Sequence, residues 1–268
     1  MFILKKIWRF FFGLWVWSIC FVTMMLGATL AFLVLPVIPF RKSHKWAGGG
    51  ALGLCVHYTF NRFRIIYDPD LDRDRYSLYL QNHISLMDGH LACRVIPHSF
   101  CGLHNHWHFR VPGYGWIMKL ANGIPVYPHK SGRTAEITEA ARDRINNKKI
   151  SILAFPEGTR TTTGEVGEFK RGVFFMARDA GIPIVPLAVH NFYPVNHKGQ
   201  FSFEIGHNVT IYLGKQIETA GLNDDEVREL AVRVRKLMAD FVEHGRLPED
   251  SRAVLPDDMQ PTAEIQPA

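Results

Sequence analysis

The chain has 268 residues, 47% of them hydrophobic, a formal charge of +6 and four cysteines. Residues 223–268 carry 11 acidic and 6 basic positions, so the excess of positive charge lies in the first 222 residues, where it suits anionic partners. No recognition-helix or stacking-platform motif accompanies that charge, which sets nucleic acid aside, and Cys20, Cys55, Cys93 and Cys101 form no disulfide framework, in keeping with a reducing cytoplasmic location.

From Phe10 to Phe40 there is no charged residue or histidine. As one helix the run would extend about 46 Å, against roughly 30 Å for the hydrocarbon core of a bilayer. One tilted span fits, and a re-entrant pair of helices competes with it. Lys5, Lys6 and Arg9 precede the run while Arg41, Lys42 and Lys45 follow it, and these symmetric flanks favour a hairpin with both ends on the cytoplasmic face. Gly27 is the candidate bend, and Pro36 and Pro39 mark the exit. A cleaved signal peptide would be shorter and would end at a small-residue site, which is missing. Residues 1–45 therefore read as a membrane anchor, 46–245 as one domain of about 200 residues, enough for a sizeable core, and the proline-containing stretch 246–268 as a disordered tail.

Within that domain Ser77 to Leu80 reads as a short strand, Asn82 to Ser85 as loop, and Met87 to Ile96 as a helix with Asp88 in its first turn. On a regular helix His83 and Asp88 would diverge by about 140°, so a pairing requires the strand, loop and helix order that the residues suggest. An imidazole beside a carboxylate can take a proton from a hydroxyl, because the carboxylate fixes the tautomer and stabilises the imidazolium. The competing reading makes Asp88 a helix cap and His83 an ordinary polar residue.

Extended backbone through Cys101–His108 would place His104, His106 and His108 on one face. With Cys93 and Cys101 nearby they invite a metal site, but no Cys-x2-Cys or His-Glu-x2-His spacing accompanies them, so a wet groove is the expectation and no metal is assigned. Thr134 to Asn146 forms an amphipathic helix, and Ile150 to Phe155 a buried strand feeding a polar loop, Pro156-Glu157-Gly158-Thr159-Arg160, followed by three threonines. Arg160 can meet a phosphate with its fork, and amides near Gly158 and Thr159 can help hold an anion. A helix over Gly172–Ala180, a strand over Ile184–Val189, paired strands over Phe201–Ile205 and Val209–Leu213, and a helix opening at Asn223 complete an alternation that predicts an α/β layered domain, with a central, mainly buried sheet flanked by helices.

Asn82-His83-x4-Asp88 and Phe155-Pro156-Glu157-Gly158-Thr159-Arg160, in that order, resemble two blocks of the glycerolipid acyltransferase family, the group that includes 1-acylglycerol-3-phosphate acyltransferases. The resemblance runs from about Leu78 to Leu213. Phe169-Lys170-Arg171-Gly172 resembles the basic segment after the second of these boxes, and Ile182-Pro183-Ile184-Val185-Pro186-Leu187-Ala188 the family's apolar block with paired prolines. The departure is at Asn122-Gly123-Ile124-Pro125-Val126-Tyr127-Pro128, where relatives carry an arginine at the position of Pro128; His129, Lys130 and Arg133 lie just beyond.

The resemblance implies acyl transfer from a thioester, acyl-CoA or acyl-carrier protein, to the hydroxyl of a membrane-borne lysophospholipid. It implies no cofactor and no metal, and the three histidines then stand in for a lysine common in relatives. His83 and Asp88 are the expected catalytic pair. Asn82, Glu157, Gly158, Thr159, Arg160, Lys170, Arg171 and Arg133 are the expected substrate-binding residues, with Glu157 placing the acceptor or bracing its loop. Lysophosphatidic acid is the first acceptor, another lysolipid the second because of Pro128, and a non-catalytic lipid-binding protein the third reading. The block around Pro183–Leu187 is read as core strand or acyl-chain wall.

Overall fold

The structure, a computed structural model, describes residues 2–34, 37–38, 44–111, 114–127, 133–256 and 259. Among these residues seven strands form one sheet: β1 (Arg62–Tyr67), β2 (Leu78–Gln81), β3 (Phe100–Asn105), β4 (Ile124–Val126), β5 (Ser151–Ala154), β6 (Ile184–His190) and β7 (Asn208–Leu213). Their order across the sheet is β1-β7-β6-β2-β5-β3-β4. All pairings are parallel except β6 with β7.

The alternation of side chains along each strand builds three layers. Leu78, Leu80, Ile152, Ala154, Ile184 and Ala188 face the cluster formed with α5 (Thr134–Asn146), α6 (Gly172–Ala180) and α7 (Asp224–His244). Tyr79, Leu153, Val185, Leu187 and Val189 face the opposite cluster, with α3 (Asp88–Val95) and part of α1 (Phe2–Val34) and α2 (Gly50–Cys55). A short α4 (Tyr114–Leu120) precedes β4. The block around Pro183 to Leu187 is thus core strand, since Ile184, Val185 and Leu187 are fully buried. Asn223 opens α7 with a capping box: its Oδ1 accepts from the amides of Asp225 and Glu226 at 2.9 and 3.0 Å, while Glu226 accepts the Asn223 amide.

Three expectations change. The apolar run is one helix through Gly27 as far as Val34, and both the segment His44–Gly49 and α2 pack back against it. Cys20 Sγ lies 3.9 Å from the Cys55 carbonyl, Cys55 Sγ 3.8 Å from the Cys20 carbonyl, and Thr23 meets Tyr58 at 3.0 Å. Side-chain packing between two helices that are both apolar on the facing side supplies this contact. The proposed exit residues Pro36 and Pro39, and Arg41 and Lys42, lie outside the described residues.

Phe201–Ile205 is not a strand. Phe203 is buried, the Glu204 amide donates to Val195, and the segment docks on α1, where Trp17 Nε1 donates to the Phe201 carbonyl at 2.9 Å. Nor is 246–256 a loose tail. The Ser251 hydroxyl donates to Asp68 at 2.5 Å and accepts from Tyr212 at 3.2 Å, Lys215 pairs with Asp250 at 2.8 Å, and Leu247 and Leu255 pack on the core. The rest of the predicted tail, apart from Met259, lies outside the described residues.

Candidate active site

Strands β2 and β5 are parallel neighbours, so the loops that leave their carboxyl ends emerge side by side on one edge of the sheet, the usual place for ligands in such sheets. The first loop carries His83 and the second Glu157 to Arg160. His83 Nδ1 lies 2.7 Å from Asp88 Oδ2. The same carboxylate oxygen accepts the amides of Ile84 at 2.6 Å and Ser85 at 3.0 Å, which wraps the loop around it. Asp88 is 1% exposed, and burial pushes its carboxyl above the ordinary range, opposed by the hydrogen bond and charge of His83 and by the two amides.

The His83 side chain is 22% exposed and stacks on Phe155, the first residue after β5, with ring centroids 4.0 Å apart. Its Nε2 makes no hydrogen bond among the described residues. A buried carboxylate on one ring nitrogen and an open second nitrogen is the arrangement a general base requires.

Glu157 ties the two loops together. Its Oε1 accepts the His83 amide at 2.8 Å and its Oε2 the Gly167 amide at 3.0 Å, while the Thr161 amide donates to the His83 carbonyl at 2.8 Å. Burial raises its carboxyl pKa, against the pull of those two amides. Of the two roles expected for Glu157, the geometry provides the brace. Asn82 differs from expectation for the same kind of reason: its Oδ1 accepts the Val189 amide at 2.8 Å, its Nδ2 donates to the Val189 carbonyl at 3.2 Å, and both atoms are buried against β6. It fastens the start of the loop, with both polar atoms engaged by β6 and the side chain buried.

The anion loop is built around Gly158, whose φ of +70° favours glycine and whose missing Cβ leaves room for the Lys170 side chain. The Gly158 amide donates to the Phe155 carbonyl at 3.0 Å, which closes the turn and removes that amide from anion binding. Thr159 is exposed, with Lys198 Nζ 3.4 Å from its hydroxyl. Arg160, Lys170 and Arg171 make no ion pair among the described residues, so one cation closes the second box and two follow it without ionic partners there.

Arg133 lies apart from them at the start of α5, 3.7 Å from Glu136 and 4.3 Å above the Tyr127 ring. Tyr127 also stacks on His106, at 4.7 Å. This group follows β4, beside a cavity of about 410 Å³ lined in part by Arg110, Lys119 and Arg144. Pro128, His129 and Lys130, where the family's arginine and its replacements were sought, lie outside the described residues.

The three histidines do not share an extended face. Only His104 is on β3; His106 and His108 belong to a 3₁₀ turn, His106–Arg110, capped by Asn105, whose side chain accepts the Trp107 amide. His104 fills the space over Gly102, and burial followed by the His108 charge lowers its pKa to about 4, so it is neutral near pH 7. Sequence reasoning missed Asn196. Its Oδ1 accepts the Ser85 hydroxyl at 2.5 Å and its Nδ2 donates to the carbonyls of Gln200 at 3.1 Å and Ser202 at 3.0 Å. The loop after β6 gave no periodic signal, and a single asparagine in it has none of its own.

Residues 63–190 match the family model described as Acyltransferase. The chain is 28% identical over 196 residues to the 1-acyl-sn-glycerol-3-phosphate acyltransferase of Saccharomyces cerevisiae, covering 72% of this chain and 64% of that protein's length. It is 24% identical to the human 1-acyl-sn-glycerol-3-phosphate acyltransferase beta, over 75% of this chain and 72% of that one. The crystal structure of the 1-acyl-sn-glycerophosphate acyltransferase PlsC from Thermotoga maritima shares its fold, with a TM-score of 0.74 over 91% of this chain and all of the other, at 20% identity. The family match begins on β1, spans both boxes and ends with β6, so this stretch, somewhat under half of the chain, matches as an acyltransferase domain.

Proposed function

We propose that the chain moves a fatty acyl group from an acyl thioester, of coenzyme A or acyl-carrier protein, to the free hydroxyl of 1-acylglycerol-3-phosphate, giving phosphatidic acid. The observation that carries this reading is His83, bonded through Nδ1 to buried Asp88 with Nε2 open, on the sheet edge where the unpaired cations follow β5.

His83 Nε2 takes the hydroxyl proton as the oxygen attacks the thioester carbonyl carbon, and Asp88 stabilises the imidazolium. The tetrahedral intermediate collapses, the C–S bond breaks, and the imidazolium returns the proton to the departing thiolate. No enzyme group is acylated, so buried Cys101 has no part. Arg160 with Lys170 or Arg171 holds a phosphate. The exposed apolar surface of α1, a helix long and apolar enough to cross a membrane, supports a membrane-bound enzyme whose acceptor keeps its acyl chain in lipid; on this reading the site is on the cytoplasmic face. Leu86, between His83 and Asp88 and 62% exposed, adds an apolar contact at the site itself.

A lysolipid with a larger headgroup is the second reading, supported by the basic cavity beyond β3 and β4. The test is transfer of labelled acyl groups by detergent-purified protein to a panel of lysolipids, with both donor types. Product from lysophosphatidic acid is the expected result. Product only from another lysolipid selects the second reading, and no transfer by folded protein to any acceptor contradicts both.

A further inference from the structure

On the far side of α3 from its catalytic end, α2 and α3 enclose a cavity of about 150 Å³ lined by Gly49, Gly50, Gly53, His57, Cys93 and Arg94. Gly53 sets the approach of the two helices: a Cβ there would meet Arg94 Cα and N at 3.3 Å. The helices therefore touch through backbone, and the Arg94 side chain is left at the cavity. Arg94 and His57 are both exposed, and neither forms an ion pair among the described residues.

Their surroundings are cationic. The Arg73 guanidinium lies 4.1 Å above the Tyr67 ring, the charges of Arg73 and Arg94 both reach the Tyr67 phenol, and Arg73 also acts on Lys45. The neighbouring Asp72 carboxylate accepts the Asp74 amide at 3.0 Å, and Asp74 acts on His98. The same region is also apolar. Trp46 is 83% exposed, Leu54 lines the cavity and is itself exposed, and α2 packs on α1, most of whose apolar side chains are uncovered. Clustered cations with exposed aromatic and aliphatic side chains beside an apolar helix match an amphiphile with a negative head better than a soluble anion.

We propose that this cavity binds the phosphate of an anionic phospholipid headgroup, with Arg94 and His57 on the phosphate oxygens and Leu54 and Trp46 against the acyl chains. Glycines on the α2 side admit the headgroup close to backbone. Arg94 is in the last turn of the helix whose first turn holds Asp88, about 9 Å away along the axis. A lipid bound here braces the far end of the catalytic helix, away from the His83–Asp88 pair. The proposal does not depend on which acyl acceptor the enzyme uses.

The test is calorimetric titration of the full chain, in nonionic detergent, with short-chain phosphatidylglycerol, short-chain phosphatidylcholine and inorganic phosphate. Phosphatidylglycerol should bind best. Arg94→Gln should weaken it by about tenfold or more, equivalent to 1.4 kcal/mol, His57→Gln by less, and Arg94→Lys should recover most of the loss. Arg160→Gln should leave it unchanged. Inorganic phosphate binding as tightly as the lipid would assign the cavity to soluble anions and overturn the proposal. Unaltered affinity in Arg94→Gln, or loss in Arg160→Gln instead, would place the lipid elsewhere and overturn it equally.

Discussion

His83 and His104 are both partly buried imidazoles that follow or end a parallel strand, yet their surroundings prepare them for opposite chemistry. His83 leaves β2 for a loop folded around the buried Asp88 carboxylate, and its second nitrogen is open. His104 lies near the end of β3 against Gly102 and His108 with no carboxylate among its electrostatic neighbours, so burial and then the His108 charge hold it neutral. A histidine near a catalytic edge becomes a base through what its other nitrogen touches, and an abundance of histidine does not substitute for that contact.

The sharpest way to break this comparison is to remove each ring. His83→Ala should lower turnover by about 10²- to 10⁴-fold with the fold retained, whereas His104→Gln should stay near wild type; equal losses in the two variants, in steady-state assays at matched circular dichroism, would erase the distinction. Asp88→Asn should follow, with a loss of about 10²-fold or more, because the amide cannot stabilise an imidazolium. A turnover close to wild type in this variant would leave His83 without its partner role.

Smaller effects should come from the braces. Glu157→Gln places an amide nitrogen against one of two backbone donors, and Asn196→Ala strips the Ser85 hydroxyl of its acceptor and two carbonyls of their donor. Each should cost about 1–3 kcal/mol of stability in denaturant unfolding. Unfolding midpoints equal to wild type would show that these contacts do not hold the loops.

The smallest effect concerns pH. The folded pKa of His104 is lowered from 6.5 to about 4, so its contribution to stability is present above the ordinary value and is lost as pH falls toward about 4. His104→Gln should flatten the fall in Tm across that interval. A slope identical to wild type would mean that the ring is not held neutral.

Much of this was legible in the sequence, for physical reasons that differ by region. Thr134–Asn146 and Gly172–Ala180 were bounded by helix periodicity, and the run from Ile150 announced a strand buried on both faces. The His83–Asp88 pairing could be anticipated because a strand, a loop and a helix were each visible in a stretch of a dozen residues. Contacts between distant segments were not visible. Asn82 on β6, Glu157 on the His83 amide, and Asn196 on Ser85 depend on sheet order, which local pattern does not encode. The same limit explains Ser251, which looked like part of a loose tail until Tyr212 and Asp68 supplied its partners.

The loop that contains Asn196 also touches α1 through Phe201 and the Trp17 indole, so the apolar helix and the base are joined by a short run of hydrogen bonds. The braces around Ser85 therefore answer to α1 as well as to the sheet.

The central claim is tested most directly by the ¹⁵N spectrum of His83 in the full-length protein near neutral pH, assigned by difference from His83→Ala. The account predicts that the ring's neutral form is the Nδ1-protonated tautomer, with the Nδ1 proton shifted by the Asp88 carboxylate and that shift lost in Asp88→Asn. A ring protonated at Nε2, or one indifferent to Asp88, would contradict it.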